Sequence, residues 1–193
     1  MPAKPTRREA THERILDVAA RSLRRNGYAG VGVVDVMKQA GLTHGGFYAH
    51  FDSRDALLAE AIERAGRDSA TTMNQRIDAS RARGERPLRA IIEGYLSEAH
   101  LRGTESGCVV AALSSEMPRQ SAALLAPSVG RVSELIAMVQ RALPEGGTKE
   151  QAMVIASTMV GSLQLARTLG VNAKGKALLA AARSALLAQY DTE

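Results

Sequence analysis

The chain has 193 residues and a formal net charge of +5, with 45% hydrophobic residues, 3% aromatics and no Trp. That apolar content supports a packed core, while a single cysteine, Cys108, excludes an intramolecular disulfide framework. No run of about 18 apolar residues occurs, so no membrane span is expected, and the basic balance points to an anionic partner without identifying it.

The first segment, MPAKPTRREATHERIL, has no apolar stretch behind its basic residues. No secretory signal is expected, and a reducing cytoplasm is the expected location. Residues 1–8 read as a mobile basic arm. From Glu9 to Asn26, Ile15, Leu16, Val18, Ala19, Ala20 and Leu23 recur at helical spacing. Asn26-Gly27 is the stop. A second helix is predicted over Val33–Ala40, with Gly32 as N-cap and Gly41 as terminator. Thr43 then opens a third, short helix to about His50. A fourth starts at Asp52 or Ser53 and runs to about Ala82, because no breaker appears before Gly84.

Arg86-Pro87 opens the next helix, since Pro suits a first turn. Its apolar face is Leu88, Ile91, Ile92, Tyr95, Leu96 and Ala99, and Gly103 ends it. Further helices are predicted over about 105–116, 120–142 and 148–170, and a last one from Lys174 to Tyr190. Strand-like alternation is absent, so the expected fold class is all-α. Charge is uneven along the chain. Residues 1–54 hold nine Lys or Arg (Lys4, Arg7, Arg8, Arg14, Arg21, Arg24, Arg25, Lys38 and Arg54) against five acids. A solvated basic face is the plain alternative to an anion-binding one.

The pair Val33–Ala40 and Thr43–His50, joined at Gly41, has the layout of a helix-turn-helix. In such units the second helix lies in the DNA major groove while the first crosses the backbone. The string Ile15-Leu16, Ala19, Asn26-Gly27-Tyr28, Val36, Ala40-Gly41-Leu42-Thr43, Gly45, Phe47-Tyr48, Phe51, Arg54, Leu57-Leu58 resembles the TetR family of bacterial transcription regulators. The resemblance covers about residues 9–60. It implies an N-terminal DNA-binding unit of three helices, residues 1–52, and a helical effector-binding and dimerisation unit, residues 53–193.

The same resemblance implies site residues. Thr43, His44, Gly45, Tyr48 and His50 belong to the recognition helix, Thr43 as its cap and Tyr48 as a phosphate contact. Arg54 matches the family's phosphate clamp. Lys38 joins the DNA-facing set, and Arg7 and Arg8 serve as a basic arm. Phe47 and Phe51 are core anchors. Gly46 and Gly32 depart from the family, which usually carries side chains there. Each glycine inside a helix costs about 1 kcal/mol relative to Ala. Gly45 therefore suggests a place where backbone approaches DNA or the preceding helix, and Gly46 leaves fewer side chains to reach bases.

In the C-terminal unit, segments 150–169 and 174–190 are more apolar than a one-sided surface helix requires. Paired about a two-fold axis they would form an isologous dimer interface; an ordinary monomer core is the alternative. The effector candidates are Tyr95, His100, Cys108, Met117, Met138, Met159, Gln164 and Arg167. Cys108, in ESGCVVAAL, is either a reactive thiol near a helix start or a small buried apolar residue. Some members of the resembled family sense electrophiles or oxidants with a Cys in this region. No neighbouring Lys or Arg is evident along the chain.

The expected partners are thus double-stranded operator DNA, a small-molecule effector and a second copy of the chain. No cofactor, metal or catalytic residue is expected: His44 and His50 lack companions at ligand spacing, and no catalytic or phosphate-loop motif occurs. A Cys108–His100 nucleophile pair has too little specificity to suggest an enzyme. A helical adaptor that has lost DNA binding is the third reading, favoured only by Gly32 and Gly46.

Overall fold

The computed structural model describes residues 6–191. Among them every regular element is helical: α1 (Arg7–Asn26), α2 (Val33–Gln39), a 3₁₀ helix (His44–Ala49), α3 (Arg54–Ala82), α4 (Pro87–Tyr95), α5 (Glu98–Arg102), α6 (Val109–Leu113), a short 3₁₀ turn (Met117–Arg119), α7 (Ala122–Ala142), α8 (Lys149–Leu169) and α9 (Ala173–Tyr190).

Helix α1 begins earlier than its periodicity suggests. Thr6 accepts from the Glu9 amide and Glu9 reaches back to the Thr6 amide, a reciprocal capping box that satisfies two otherwise unpaired donors. Arg7 and Arg8 therefore sit in the first helical turn rather than in a mobile arm, and residues 1–5 of that arm lie outside the described residues. The helix stops at Gly27, whose φ of 71° disfavours any side chain. Gly41, at φ 70°, makes the turn between α2 and the 3₁₀ helix.

The N-terminal helices close over Ile15, Leu16, Leu23, Val36, Met37, Phe47 and Phe51, all buried, with Leu57, Leu58 and Ile62 of α3 completing the core. The Phe47 and Phe51 rings stack at 5.6 Å. Burying each such ring contributes on the order of 2–3 kcal/mol. Helix α3 runs unbroken into the C-terminal bundle, where it packs on α4 and α7.

Two predicted helices are shorter than expected. The segment from Pro87 to Gly103 divides into α4 and α5 at Leu96-Ser97, because the Ser97 hydroxyl caps α5 through the His100 amide and donates to the Gly94 carbonyl. Such a side chain offers the backbone an alternative to continuing the helix. The 105–116 segment is helical only over Val109–Leu113. By length and composition α7 and α8 are apolar enough to cross a bilayer. In the fold, Leu124, Leu135 and Val139 of α7 and Ile155, Met159 and Leu163 of α8 are buried in the bundle.

Candidate DNA-binding face and effector cavity

The 44–49 helix is wound as 3₁₀ rather than α, with Phe47 as its buried anchor. Thr43, His44, Gly45 and Tyr48 face outward, and Tyr48 is 71% exposed. Thr43 stands at the N-cap position but makes no side-chain capping bond, contrary to its expected role as cap. Lys38 of α2 is exposed on the same unit, as is Val34, an apolar side chain 58% exposed that lies off the core face of α2 and that sequence reasoning did not single out.

A Cβ built on Gly45 meets nothing within 4 Å, and one on Gly46 meets only the Met37 methyl at 3.7 Å, an ordinary contact. Neither residue has positive φ. Internal packing therefore requires neither glycine, and approach to the preceding helix is not their reason.

Three further candidates are tied inward. The Arg54 guanidinium donates to the Val31 carbonyl at 3.1 Å and to the Tyr28 carbonyl, so it fastens the α1–α2 connection to the start of α3. Arg8 donates to the Ala49 carbonyl at 3.0 Å and holds the C-terminal end of the 3₁₀ helix. Arg7 is exposed. His50 is half-buried, with its ring 5.9 Å from that of His12, and its Nδ1 has no hydrogen-bond partner. Burial, then the charges of His12 and Arg8, lower the pKa of His50. His12 stacks on Phe51 at 4.6 Å and bonds Glu60 at 2.7 Å, which couples α1 to α3.

The C-terminal bundle holds a half-open cavity of about 350 Å³ between α3, α4, the 103–108 loop and α7. Of the effector candidates, Tyr95, His100, Cys108 and Met138 are among the residues that line it. Met117 and Met159 are core residues elsewhere, Gln164 is engaged with the Ser114 hydroxyl at 2.8 Å, and Arg167 stands behind the wall. Arg76, Arg131 and Arg141, which sequence reasoning missed, contribute to the lining. Their shared signal is small: Arg131 lies across Gly66, and Arg76 across Gly94, where a Cβ would come within 3.1 Å of its Cδ.

The wall around Cys108 is tightly made. His100 Nε2 accepts the Cys108 amide at 2.9 Å, so Nδ1 carries the proton and donates to the Tyr95 carbonyl at 2.8 Å. Gly107 is required here, since a Cβ would lie 2.7 Å from the His100 ring and 2.9 Å from Arg167 Nη2. Arg167 donates to the carbonyls of His100 and, at 3.4 Å, Gly103. Burial lowers the pKa of Arg167, opposed by the neighbouring Tyr95 and Cys108 side chains. An arginine thus stands near the cysteine, although 59 positions separate them along the chain. The Tyr95 hydroxyl is buried without a well-formed hydrogen bond; burial, and then Cys108 beside it, push its pKa well above the usual phenol value.

His100 predicts an acid sensitivity. Burial holds its pKa down at about 4, against an ordinary 6.5. Below about 6.5 the unfolded chain takes up a proton that the folded chain refuses. Stability contributed by the neutral ring is therefore complete above that pH, falls as pH drops toward 4, and levels off below. The loss is on the order of 3 kcal/mol. Thermal melts between pH 7.5 and 4 are expected to show this slope, with His50 adding in the same direction. His100→Gln should be less stable at pH 7.5 but have a flatter profile; an unchanged slope would remove His100 as its source.

The cavity wall is joined to the N-terminal helices. Arg24, buried in α1, donates to the Glu105 and Ala65 carbonyls, and Arg25 pairs with the Glu105 carboxylate at 2.7 Å. The Tyr28 amide donates to Glu116 at 3.1 Å, and its hydroxyl lies 3.1 Å from that of Ser128. Ser121 donates to Asp55 at 2.6 Å.

Residues 15–61 match the model of the bacterial regulatory proteins of the tetR family. An uncharacterized HTH-type transcriptional regulator of Mycobacterium tuberculosis is 28% identical over 170 residues, covering 82% of this chain and 85% of its own. The HTH-type transcriptional repressor NemR of Escherichia coli is 26% identical over 172 residues, covering 86% and 84%. The crystal structure of reduced E. coli NemR superposes with a TM-score of 0.78 at 21% identity, over 95% of this chain and 100% of that one. A TetR transcriptional regulator from Legionella pneumophila gives 0.75 at 19% identity, over 98% and 100%. The N-terminal unit thus matches the tetR-family DNA-binding module in sequence, and along its length the chain is similar to HTH-type transcriptional regulators and shares the helical fold of solved TetR-family proteins.

Proposed function

We propose that the chain is a ligand-responsive repressor that binds a palindromic operator as a homodimer and releases it when a small molecule occupies the cavity. Residues 1–52 serve as the DNA-binding unit and residues 53–193 as the effector and dimerisation unit, acting in the bacterial cytoplasm. The observation that carries this reading is the pairing of an outward-facing 44–49 helix with a half-open cavity whose wall, the 103–108 loop, bonds directly to α1 through Arg24 and Arg25.

Thr43, His44 and Tyr48 supply base and phosphate contacts, Lys38 and Arg7 supply positive charge, and Arg8 and Arg54 act mainly by holding the reading helix in place. The open space at Gly45 and Gly46 lets the backbone approach the duplex. Exposed Met153, Val154, Leu165 and Leu169 on α8 support a two-fold interface built with α9. A ligand that prefers one position of the 103–108 loop shifts α1, and with it the spacing of the two reading helices.

Selection of a duplex from a random pool, followed by anisotropy titrations at several salt concentrations, tests the reading. A palindromic duplex with a steep salt slope is expected. Salt-independent or absent duplex binding would leave a helical adaptor. Gly45→Ala should raise thermal stability by about 0.4–1 kcal/mol through the unfolded chain, yet weaken operator binding. Unchanged affinity would remove the close approach.

A thiol-based reading is favoured by one observation: Cys108 forms part of the cavity wall with the buried Tyr95 hydroxyl beside it and Arg167 nearby. The related NemR was crystallised in a reduced form, which is consistent with it. Operator release by an electrophile, abolished in Cys108→Ser, would establish this mode.

A further inference from the structure

The charged groups around the cavity are mostly cationic: Arg76, Arg131 and Arg141 against Glu134. The Tyr95 hydroxyl and Arg131 Nε are buried without a hydrogen-bond partner. Arg131 is otherwise occupied, with Nη2 3.0 Å from Glu63 and 2.6 Å from Glu134. Arg76 and Arg141 make no ion pair or hydrogen bond among the described residues, although both line the cavity. The lining therefore carries three guanidinium groups against one carboxylate, Glu134, which Arg131 already neutralises. Met73, Leu135 and Met138 supply apolar surface, beside the uncharged polar side chains of Ser69, Thr72, Asn74 and Ser106.

Arginines without a protein partner at the rim of a partly apolar hollow favour anions with planar, two-oxygen ends. Pockets of this size hold small ligands whose few polar groups are matched individually. We propose that the cavity selects an organic carboxylate with an apolar body. Its carboxylate lies toward Arg76 and Arg141, and its body rests on Met73, Leu135 and Met138. Arg76 reaches this position because Gly94 leaves room beneath its side chain, next to Tyr95 on α4. The assignment rests on the reading of this cavity as the effector site.

The test uses the full-length protein and matched probes: 4-phenylbutyrate and octanoate, their primary amides, and 4-phenylbutylamine, titrated calorimetrically. The two carboxylates are expected to bind about tenfold or more tightly than their amides, and the amine more weakly still. Both arginines are exposed, so Arg76→Gln/Arg141→Gln should keep the fold, verified by its thermal midpoint. That variant should lose the preference for acid over amide while binding the amides as before.

Equal or tighter binding of amide or amine, no binding of either carboxylate, or a preference that survives in the variant would overturn the proposal. Operator release, followed separately by anisotropy, reports the regulatory reading. Release by a neutral probe would retain that reading and overturn the carboxylate assignment. Carboxylate binding without release would retain the assignment and overturn the effector role.

Discussion

Tyr48→Ala is expected to weaken operator binding roughly ten- to a hundredfold at fixed salt, with little change in thermal midpoint. The side chain is 71% exposed and meets the core only through an edge contact with Phe47, at 5.2 Å between ring centroids. Nothing inside the protein depends on its hydroxyl. A loss of about 1–3 kcal/mol of binding is what removal of one good nucleic-acid contact costs. The neighbouring position supplies the contrast. Phe47 is buried, and Phe47→Ala should destabilise the N-terminal unit by about 3–5 kcal/mol, losing DNA binding through unfolding. Anisotropy and melting curves on both variants separate the two effects. Wild-type affinity in Tyr48→Ala would exclude that residue from the interface.

The largest stability effect from adding a single methyl group is expected at Gly175→Ala. Helix α8 ends at Gly170 with φ 93°, and Asn172 caps α9 by accepting from the amides of Lys174 and Gly175. This sharp reversal brings α9 so close to α8 that a Cβ on Gly175 would overlap the Gly170 carbonyl oxygen and lie 2.8 Å from that of Ala166. Both obstacles are backbone, so no side-chain rotation relieves them. Overpacking of this kind costs about 1–3 kcal/mol or more. In a chain of this size that lowers the midpoint by about 2–12 °C. Because α8 and α9 are the proposed dimer helices, sedimentation should also show more monomer. A midpoint within about 1 °C of wild type would mean that the helix junction relaxes freely.

The DNA-binding half was the more legible in sequence. Its helix stops at Gly27 and Gly41 are local necessities, since positive φ admits few other residues, and both stand where the pattern places them. The string from Ala40 to Leu58 carries its anchors Phe47 and Phe51 within one turn of each other, so their burial follows from short-range geometry. The winding of the 44–49 helix was not legible. A Gly-Gly pair has weak preference between α and 3₁₀, and tertiary packing of Phe47 under a six-residue segment decides it. The inward anchoring of Arg8 and Arg54 was also hidden, because their acceptors are backbone carbonyls 41 and 23 residues away.

The cavity divides in the same way. Tyr95, His100 and Cys108 lie within 14 consecutive residues, and they came forward as polar side chains on a largely apolar segment and as a thiol near a helix start. Arg76, Arg131 and Arg141 carried no such signal, for an arginine on an amphipathic helix reads as a solvated face. The sequence by itself determined the helical class, the helix-turn-helix and most chain reversals, because these depend on contacts spanning a few residues. Only the tertiary structure decided which polar groups share an enclosure. Placing Arg167 near Cys108, or three guanidinium groups around one apolar hollow, requires α3, α7 and α8 to be packed at a definite rotation. That rotation is set by interlocking side chains across the whole bundle.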